Sequence, residues 1–155
     1  MVRWEILEKL INENQCRFVA EIGVRGGHIP WYLLHRSKII EKYYAVDDDF
    51  SVLNKALISR FPHIFVPCNL TSKEASKVVQ NNLDLVFIDA NHGYDYVKED
   101  IELWIPKIKK GGIICGHDYS DTYCLGVKRA VHEFFGDDFN LEFEGKVYIW
   151  WRKNV

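Results

Sequence analysis

The sequence lacks the features that would place this chain in a membrane or in an oxidising compartment. No apolar segment approaches the roughly 18 residues that a membrane helix needs. The four cysteines are scattered without a C-x-x-C pair, and Cys68 and Cys115 lie in apolar runs typical of buried thiols. The first residues carry charges throughout, unlike a signal peptide. We therefore expect a cytoplasmic protein with no membrane partner.

Several catalytic and binding motifs are missing as well. There is no G-x-S-x-G turn for a serine nucleophile and no P-loop for a nucleotide triphosphate. The close Cys/His pairs of a structural zinc site are also absent. The net charge of −2 gives no basic excess, so we expect no nucleic-acid partner.

The pattern that is present alternates helix and strand signals along the whole chain. A length of 155 residues predicts a single domain spanning residues 1–155, with a substantial core. The predicted strands are 18–23, 42–47, 64–69, 83–89 and 113–118, and the predicted helices are 3–14, 30–40, 51–61, 71–81, 94–105 and 125–135. Two final strand-like segments joined at Gly145 predict a hairpin. We expect an α/β, Rossmann-like doubly wound sheet that is mostly parallel, with a C-terminal antiparallel hairpin.

A glycine-rich turn follows the first predicted strand, in the segment V-A-E-I-G-V-R-G-G-H at residues 19–28. Gly23 and Gly27 would allow a ligand to approach bare backbone at this turn. Glu21 stands where a dinucleotide-binding turn has its first glycine. Because a carboxylate repels a pyrophosphate and suits an amine or hydroxyls, Glu21 argues against a nicotinamide-dependent oxidoreductase, which is one alternative.

Acidic side chains gather at the predicted carboxyl ends of the strands, where open parallel sheets bind ligands. Asp47 closes the second strand, at the distance from the glycine turn at which an acid accepts hydrogen bonds from ribose hydroxyls. In the alternative interpretation, Asp47 lies in a solvated turn next to the following helix. Asp48 or Ser51 would then cap that helix.

Titratable side chains also crowd after the fourth and fifth strands. The segment D-L-V-F-I-D-A-N-H-G-Y brings Asp89 and His92, and the segment G-G-I-I-C-G-H-D-Y brings His117 and Asp118. We expect Asp89 and Asp118 to lie close together, at adjacent strand ends. This clustering predicts a catalytic or metal-binding role, with His92, Asp89 and His117 as candidate catalytic residues. Hydrogen bonding that only shapes the loops is the alternative for both histidines.

These segments together resemble the class I S-adenosylmethionine (SAM)-dependent methyltransferases. The pattern E-x-G-x-x-x-G at 21–27 resembles the first motif of that class. The segments F-I-D-A-N-H-G-Y and G-G-I-I-C-G-H-D-Y resemble F-I-D-G-x-H-x-Y and G-G-x-x-x-x-D-Y of a bacterial branch related to small-molecule and sugar O-methyltransferases, the methyltransferase family 24 type. The resemblance covers nearly the whole chain and implies the strand order 3-2-1-4-5-7-6.

The resemblance also implies a cofactor and a reaction. SAM would be the cofactor, and a small molecule or a sugar would be methylated, at oxygen. The residues implied to bind the cofactor are Glu21, Gly23, Val24, Gly27, Asp47, Asp48, Asn69 and Asp89. Asn69 would lie near the adenine amino group, although a plain turn residue is the alternative there.

Two mechanisms are open for removing the acceptor's proton. His92 could act as a general base. Alternatively, Asp89 and Asp118 could hold Mg²⁺ or another divalent cation that lowers the acceptor's pKa. Related catechol-type methyltransferases bind metal with acids at these two strand ends and have Asn after the second acid, whereas this chain has Tyr119.

Two further questions concern activity and assembly. A non-catalytic SAM- or nucleoside-binding protein is the rival to an enzyme; Ile29 and Tyr119, which replace polar residues of the family pattern, favour that rival. The dense titratable groups after the fourth strand oppose it. Trp150 and Trp151 point to opposite faces of the last strand, so one of them could pack at a homodimer contact.

Overall fold

Seven strands form one mixed sheet in the order β3-β2-β1-β4-β5-β7-β6. The computed structural model describes all residues, Met1–Val155. The strands are β1 Phe18–Ile22, β2 Lys42–Asp47, β3 Phe65–Asn69, β4 Leu83–Ile88, β5 Ile108–Tyr119, β6 Asn140–Glu144 and β7 Val147–Lys153. Strands β1 to β5 are parallel, while β7 runs antiparallel to both β5 and β6. The predicted fold class and strand order are confirmed.

Six α-helices connect these strands. They are α1 Arg3–Asn14, α2 His28–Arg36, α3 Ala56–Arg60, α4 Ser72–Val78, α5 Tyr94–Trp104 and α6 Leu125–Phe135. Helix α4 begins with the predicted capping box, in which Thr71 accepts a hydrogen bond from the backbone of Glu74. The helices pack on both faces of the sheet, as doubly wound connections require.

Helix α3 is much shorter than the predicted helix 51–61. Residues 51–55 are not helical, and the Ser51 N–H donates to Oδ1 of Asp49 at 2.8 Å. The residue before α3 is Lys55, which makes no side-chain capping bond. Neither Ser51 nor Asp48 caps this helix, so the predicted cap was wrong, while a ribose contact of Asp47 stays a prediction.

Strand β5 is interrupted near its carboxyl end. Its pairing with β7 shifts register between Gly116 and Tyr119, and Asp118 has a φ of +58°. Successive side chains of a regular strand point to opposite faces, whereas an irregularity of this kind re-aims them. His117 and Asp118 are therefore both turned towards the same cluster of side chains.

The core lies in two layers, one on each face of the sheet. One layer joins α1, α2 and α3 to the sheet through side chains such as Leu7, Leu33 and Leu57. The other joins α4, α5 and α6 through side chains that include the fully buried Trp104 and Trp150. Burial of each such large side chain contributes about 1.5–3 kcal/mol, so these layers hold the helices on the sheet.

Three further sequence-based expectations are resolved by the packing. Cys115 is buried as predicted, whereas Cys68, on the outer strand β3, is only half-buried. Trp150 and Trp151 belong to the two opposite core layers, as their alternation predicted. None of the helices combines the length and the apolar character that a membrane span requires.

Candidate functional site

Two cavities meet at the carboxyl end of the sheet, on either side of the turn after β1. Their volumes are about 800 and 750 Å³. Both are lined by Gly23, Arg25, Asp89 and Ala90, so they form one continuous groove across the ends of β1 and β4. This edge is where open parallel sheets bind ligands.

The first cavity lies over β2 and contains the predicted ribose-binding acids. Asp47 and Asp48 both line it, together with Leu70 and Thr71 from the turn after β3. Oδ2 of Asp47 accepts a hydrogen bond from the backbone N–H of Arg25 at 2.7 Å. Asp47 therefore holds the glycine turn and keeps its carboxylate at the cavity wall.

Asn69, the cofactor contact predicted at the end of β3, does not line this cavity. It is exposed and pairs in register with Asp47 at the ends of β3 and β2. The next residue, Leu70, lines the wall instead. A contact between Asn69 and adenine stays a prediction.

Gly23 and Gly27 of the turn are each required to be glycine for a different structural reason. A Cβ on Gly23 would lie 2.4 Å from the carbonyl oxygen of Asp89, so this glycine lets the loops after β1 and β4 touch. A Cβ on Gly27 would lie 2.6 Å from a methyl group of Leu57. Gly27 lines neither cavity; it faces the core, and its φ of +77° suits a residue without a side chain.

Glu21 is a buried carboxyl group in the wall of the second cavity. It is 1% exposed, and its Oε2 accepts a hydrogen bond from the hydroxyl of Tyr43 at 2.6 Å. Burial raises the pKa of Glu21 to about 8, although the Tyr43 hydroxyl opposes the shift. A carboxyl group with this pKa is largely protonated at neutral pH and ionises readily beside a cation. Val24, also predicted to bind the cofactor, lines the same cavity.

The predicted His/Asp cluster forms the opposite wall of this second cavity. Nε2 of His92 and Nδ1 of His117 each lie 2.9 Å from Oδ2 of Asp118. The same two nitrogens lie 3.9 and 3.5 Å from Oδ1 of Asp89. The structure therefore brings together all four residues from two segments that are separate in sequence.

The charges of this cluster shift one another's protonation. Asp89 and Asp118 raise the pKa of His92 above its ordinary value, against partial burial, which lowers it. Burial lowers the pKa of His117, but Asp118, Asp89 and Glu144 outweigh it and raise the value. Burial likewise opposes ionisation of Asp118, yet the two imidazoles lower the pKa of this carboxyl group. The cluster thus favours the ionised carboxylate of Asp118 beside protonated imidazole rings.

Two residues of the site were missed by sequence reasoning. Nη1 of Arg3 lies 2.8 Å from Oδ2 of Asp89, and the Arg3 backbone N–H donates to Oε1 of Glu144 at 3.0 Å. Oε2 of Glu144 lies 2.5 Å from Nε2 of His117. Arg3 begins α1 and Glu144 ends β6, so no local motif connects either of them with the segments after β4 and β5.

The fold and the site together define a class I methyltransferase. The antiparallel β7 between β5 and β6 gives the sheet order of that class, and a glycine turn lies beside acids at the strand ends. A family model described as "Methyltransferase domain" matches residues 20–119, more than half of the chain. The chain belongs to this methyltransferase family.

Solved structures with the same fold share little sequence with this chain. A SAM-dependent O-methyltransferase from Thermotoga maritima matches with a TM-score of 0.73 at 12% identity, covering 98% of this chain and 64% of that protein. The O-methyltransferase TomG from Streptomyces achromogenes, solved with SAM, matches with a TM-score of 0.75 at 14% identity, covering 99% and 80%. No curated protein matches the chain significantly.

A protein of nearly the same length has the fold too. A methyltransferase-type protein from Streptococcus mutans, solved with SAH, matches with a TM-score of 0.73 at 12% identity, covering 97% of each chain. The present chain is therefore long enough for the whole fold, while it spans slightly less than two thirds of the Thermotoga protein. At these identities the likeness establishes the fold alone.

Proposed function

We propose that this protein transfers the methyl group of SAM to a hydroxyl group of a small molecule or a sugar. The observation that carries the proposal is the division of the groove. Asp47 lines the first cavity, whereas Glu21 and the His92–Asp118 pair line the second. Gly23 lies between them and belongs to both. A ligand spanning Gly23 would have its ribose and its amine end beside carboxyl groups and its reactive end beside an imidazole.

The groove fits SAM by shape and charge. Gly23 lines both cavities, and Asp47 at the wall of the first cavity offers carboxylate oxygens to ribose hydroxyls. Glu21 has no cationic partner within hydrogen-bonding distance, so the ammonium group of a methionine moiety would complete its surroundings. When bound, SAM supplies an activated methyl group; the chain's own residues position it.

Of the two histidines in the cluster, His92 is the accessible one. His92 is 41% exposed in its side chain, whereas His117 is only 4% exposed. We assign His92 as the general base, with Asp118 orienting its ring. Asp89 faces both imidazoles, and His117 supports Asp118 from below. The first rival, a SAM-binding protein without catalysis, has no use for this arrangement at the groove.

Magnesium is not part of the proposal, because the donor set does not fit it. Mg²⁺ requires oxygen ligands in near-octahedral geometry. Oδ2 of Asp89 already faces the guanidinium of Arg3 at 2.8 Å, and Asp118 lies between two imidazole nitrogens. We derive no step through such an ion. A homodimer and a cytoplasmic location stay predictions; sedimentation velocity of the purified chain checks the first.

Calorimetric titration with SAM and SAH tests the cofactor site. Asp47→Ala removes charge-assisted hydrogen bonds worth about 1.5–3 kcal/mol, so SAM affinity falls by about 10- to 150-fold. Asp49→Ala is the matched control, because Asp49 lies in the same turn but does not line the cavity. Equal affinity of wild type and Asp47→Ala would remove Asp47 from the cofactor site.

Measurement of methyl-transfer turnover tests the assignment of His92 as the general base. A panel of hydroxylated small molecules and sugars is screened by release of SAH, with chelator-treated protein. His92→Ala lowers kcat by about 10²- to 10⁴-fold while SAM affinity changes little, since a positioned base acts only on the acceptor's proton. His63→Ala, an exposed loop substitution, serves as the control. Wild-type kcat in His92→Ala would reduce His92 to a loop-shaping residue.

A further inference from the structure

The first cavity extends from the strand ends to the neighbouring helices α4 and α5. Asp47 lines it at the end of β2, Ser72 lines it at the start of α4, and Asp100 lines it from α5. Asp100 is 6% exposed, less than any other polar or charged residue in the wall of this cavity. A buried carboxyl group beside a ligand cavity requires a polar partner, and the protein supplies only part of one.

The hydrogen bonds around Asp100 determine which of its oxygens is free. The indole Nε1–H of Trp104 donates to Oγ of Ser72 at 2.9 Å. An indole nitrogen is a donor only, so the Ser72 oxygen is the acceptor there and its own hydroxyl donates to Oδ1 of Asp100. Trp104 is fully buried, which holds this chain of hydrogen bonds in one direction. Oδ2 of Asp100 receives no donor from the protein and is left as an acceptor.

The protonation state of Asp100 sets the kind of ligand group that can face Oδ2. Burial raises the pKa of Asp100 to about 6; the Ser72 hydroxyl opposes this shift, and the charge of Glu99 adds to it. The carboxyl group is therefore ionised at pH 8, and both of its oxygens then only accept hydrogen bonds. A ligand group that contacts Oδ2 must be a hydrogen-bond donor, because a second acceptor would leave both groups buried and unpaired.

We propose that Asp100 accepts a hydrogen bond from the exocyclic amino group of the adenine ring of SAM and so determines the nucleobase specificity of the groove. This inference rests on the proposed function, in which SAM binds with its ribose at Asp47. Adenine carries a donor amino group at the position where a 6-oxopurine such as guanine carries an acceptor oxygen. A site built to bond one of these groups rejects the other, since its buried acceptor is then left unpaired.

The other residues of the cavity wall agree with a purine at this place. Leu70 and Tyr96 line the same cavity, and Tyr96 is 59% exposed although its ring is large. A bound purine would cover this apolar and aromatic surface. Asn69, the residue that the family pattern implies for the amino group, is exposed and lines neither cavity. The specificity contact therefore comes from α5 and not from the end of β3.

Titration calorimetry at pH 8 with SAH and its deaminated analogue, S-inosylhomocysteine, tests this specificity. The two ligands share the ribose and the homocysteine moiety, while an oxygen replaces the amino group on the purine ring of the analogue. Wild-type protein should bind SAH about 10- to 150-fold more tightly, since the analogue loses a hydrogen bond to a charged acceptor.

Asp100→Asn should remove or reverse this preference. The Ser72 hydroxyl still donates, so the amide oxygen takes that place and the amide NH₂ faces the purine as a donor. The variant should bind S-inosylhomocysteine at least as tightly as SAH. Asp95→Asn makes the same change at an exposed position of α5 outside both cavities, and it should keep the wild-type ratio of affinities. Ser72→Ala releases the carboxyl group from its fixed orientation and should shrink the ratio.

Two results would overturn the assignment of Asp100. They are equal affinity of the wild type for the two ligands and a wild-type ratio in folded Asp100→Asn. If circular dichroism shows that Asp100→Asn is unfolded, Ser72→Ala decides, because an unchanged ratio there contradicts the fixed acceptor. Absence of SAH binding in the wild type would remove the proposed function together with this inference, whereas tight binding of both ligands would remove the inference alone.

Discussion

At the scale of single residues, Glu21 shows how burial prepares a group for a charged ligand. Its carboxyl group is enclosed by the core and bonded only to Tyr43, so its pKa rises from 4.5 to about 8. The unfolded chain ionises this group at its ordinary value. Folding therefore binds a proton between these two pH values.

The Glu21 shift predicts a pH dependence of stability. The contribution is fully present below about pH 4.5 and is lost as the pH rises through about 8, because the folded state holds a proton that the unfolded state releases. Denaturant unfolding between these values should show this decline in the wild type. Glu21→Gln should reduce it, and an identical pH profile in both proteins would contradict the shift.

The same group predicts proton release on cofactor binding. If the ammonium group of SAM faces Glu21, binding at pH 7 favours the ionised carboxylate, and up to one proton leaves. Titration calorimetry in buffers of different ionisation enthalpy measures this number. Glu21→Gln should bring the release close to zero, whereas undiminished release in that variant would place the ammonium group elsewhere.

At the scale of elements, the turn between β1 and α2 is shaped from three sides. Asp47 at the end of β2 accepts the backbone N–H of Arg25, and Gly23 contacts the loop after β4. Gly27 packs on Leu57 of α3. Gly27 thus serves the packing of α2 and α3, and its contact with the cofactor stays a prediction.

Substitution of Gly27 measures that packing. Gly27→Ala adds a methyl group against Leu57 at a φ of +77°. The left-handed backbone should lower the free energy of unfolding by about 1–2 kcal/mol, and overpacking should lower it by about 1–3 kcal/mol more. Gly145 has a φ of +79° with open space around a Cβ, so Gly145→Ala should show only the backbone effect. Equal losses of unfolding free energy in the two variants would rule out the contact with Leu57.

At the scale of the whole molecule, the carboxyl end of the sheet forms the groove, whereas contacts at its amino end stabilise the fold. The carboxyl end holds the groove, with its buried Glu21 and crowded His/Asp cluster. The amino end holds Asp84, whose Oδ2 accepts the backbone N–H groups of Arg17 and Phe18 at 2.8 and 2.7 Å and whose Oδ1 pairs with Lys109. This second set of contacts ties β1, β4 and β5 together, and none of its residues lines the two cavities of the groove.

Asp84→Ala should therefore separate stability from binding. Two backbone donors lose their acceptor, so the free energy of unfolding falls by about 2–4 kcal/mol. The folded protein should still bind SAM with wild-type affinity in calorimetry. Asp138→Ala, which removes an exposed ion pair with Arg152, should cost less than about 1 kcal/mol. A large loss of SAM affinity in folded Asp84→Ala would show that the two ends are coupled.

The sequence by itself determined the architecture and most of the groove. Alternating periodicities specified five βα units and a final hairpin, and acids placed after apolar strands had to meet at one edge because parallel strands share their carboxyl ends. That argument placed Asp47, Asp89 and Asp118 at the sheet edge. The argument places at this edge any residue within a few positions of the carboxyl end of a parallel strand.

Only the tertiary structure decided which groups complete the site. Arg3 and Glu144 come from opposite ends of the chain and meet Asp89 and His117 through packing of α1 and β6, which no local pattern encodes. The irregularity in β5 that turns neighbouring side chains to one cluster depends on pairing with β7. The packing of Gly27 against Leu57 is likewise a contact between distant parts of the chain, which the glycine motif does not encode.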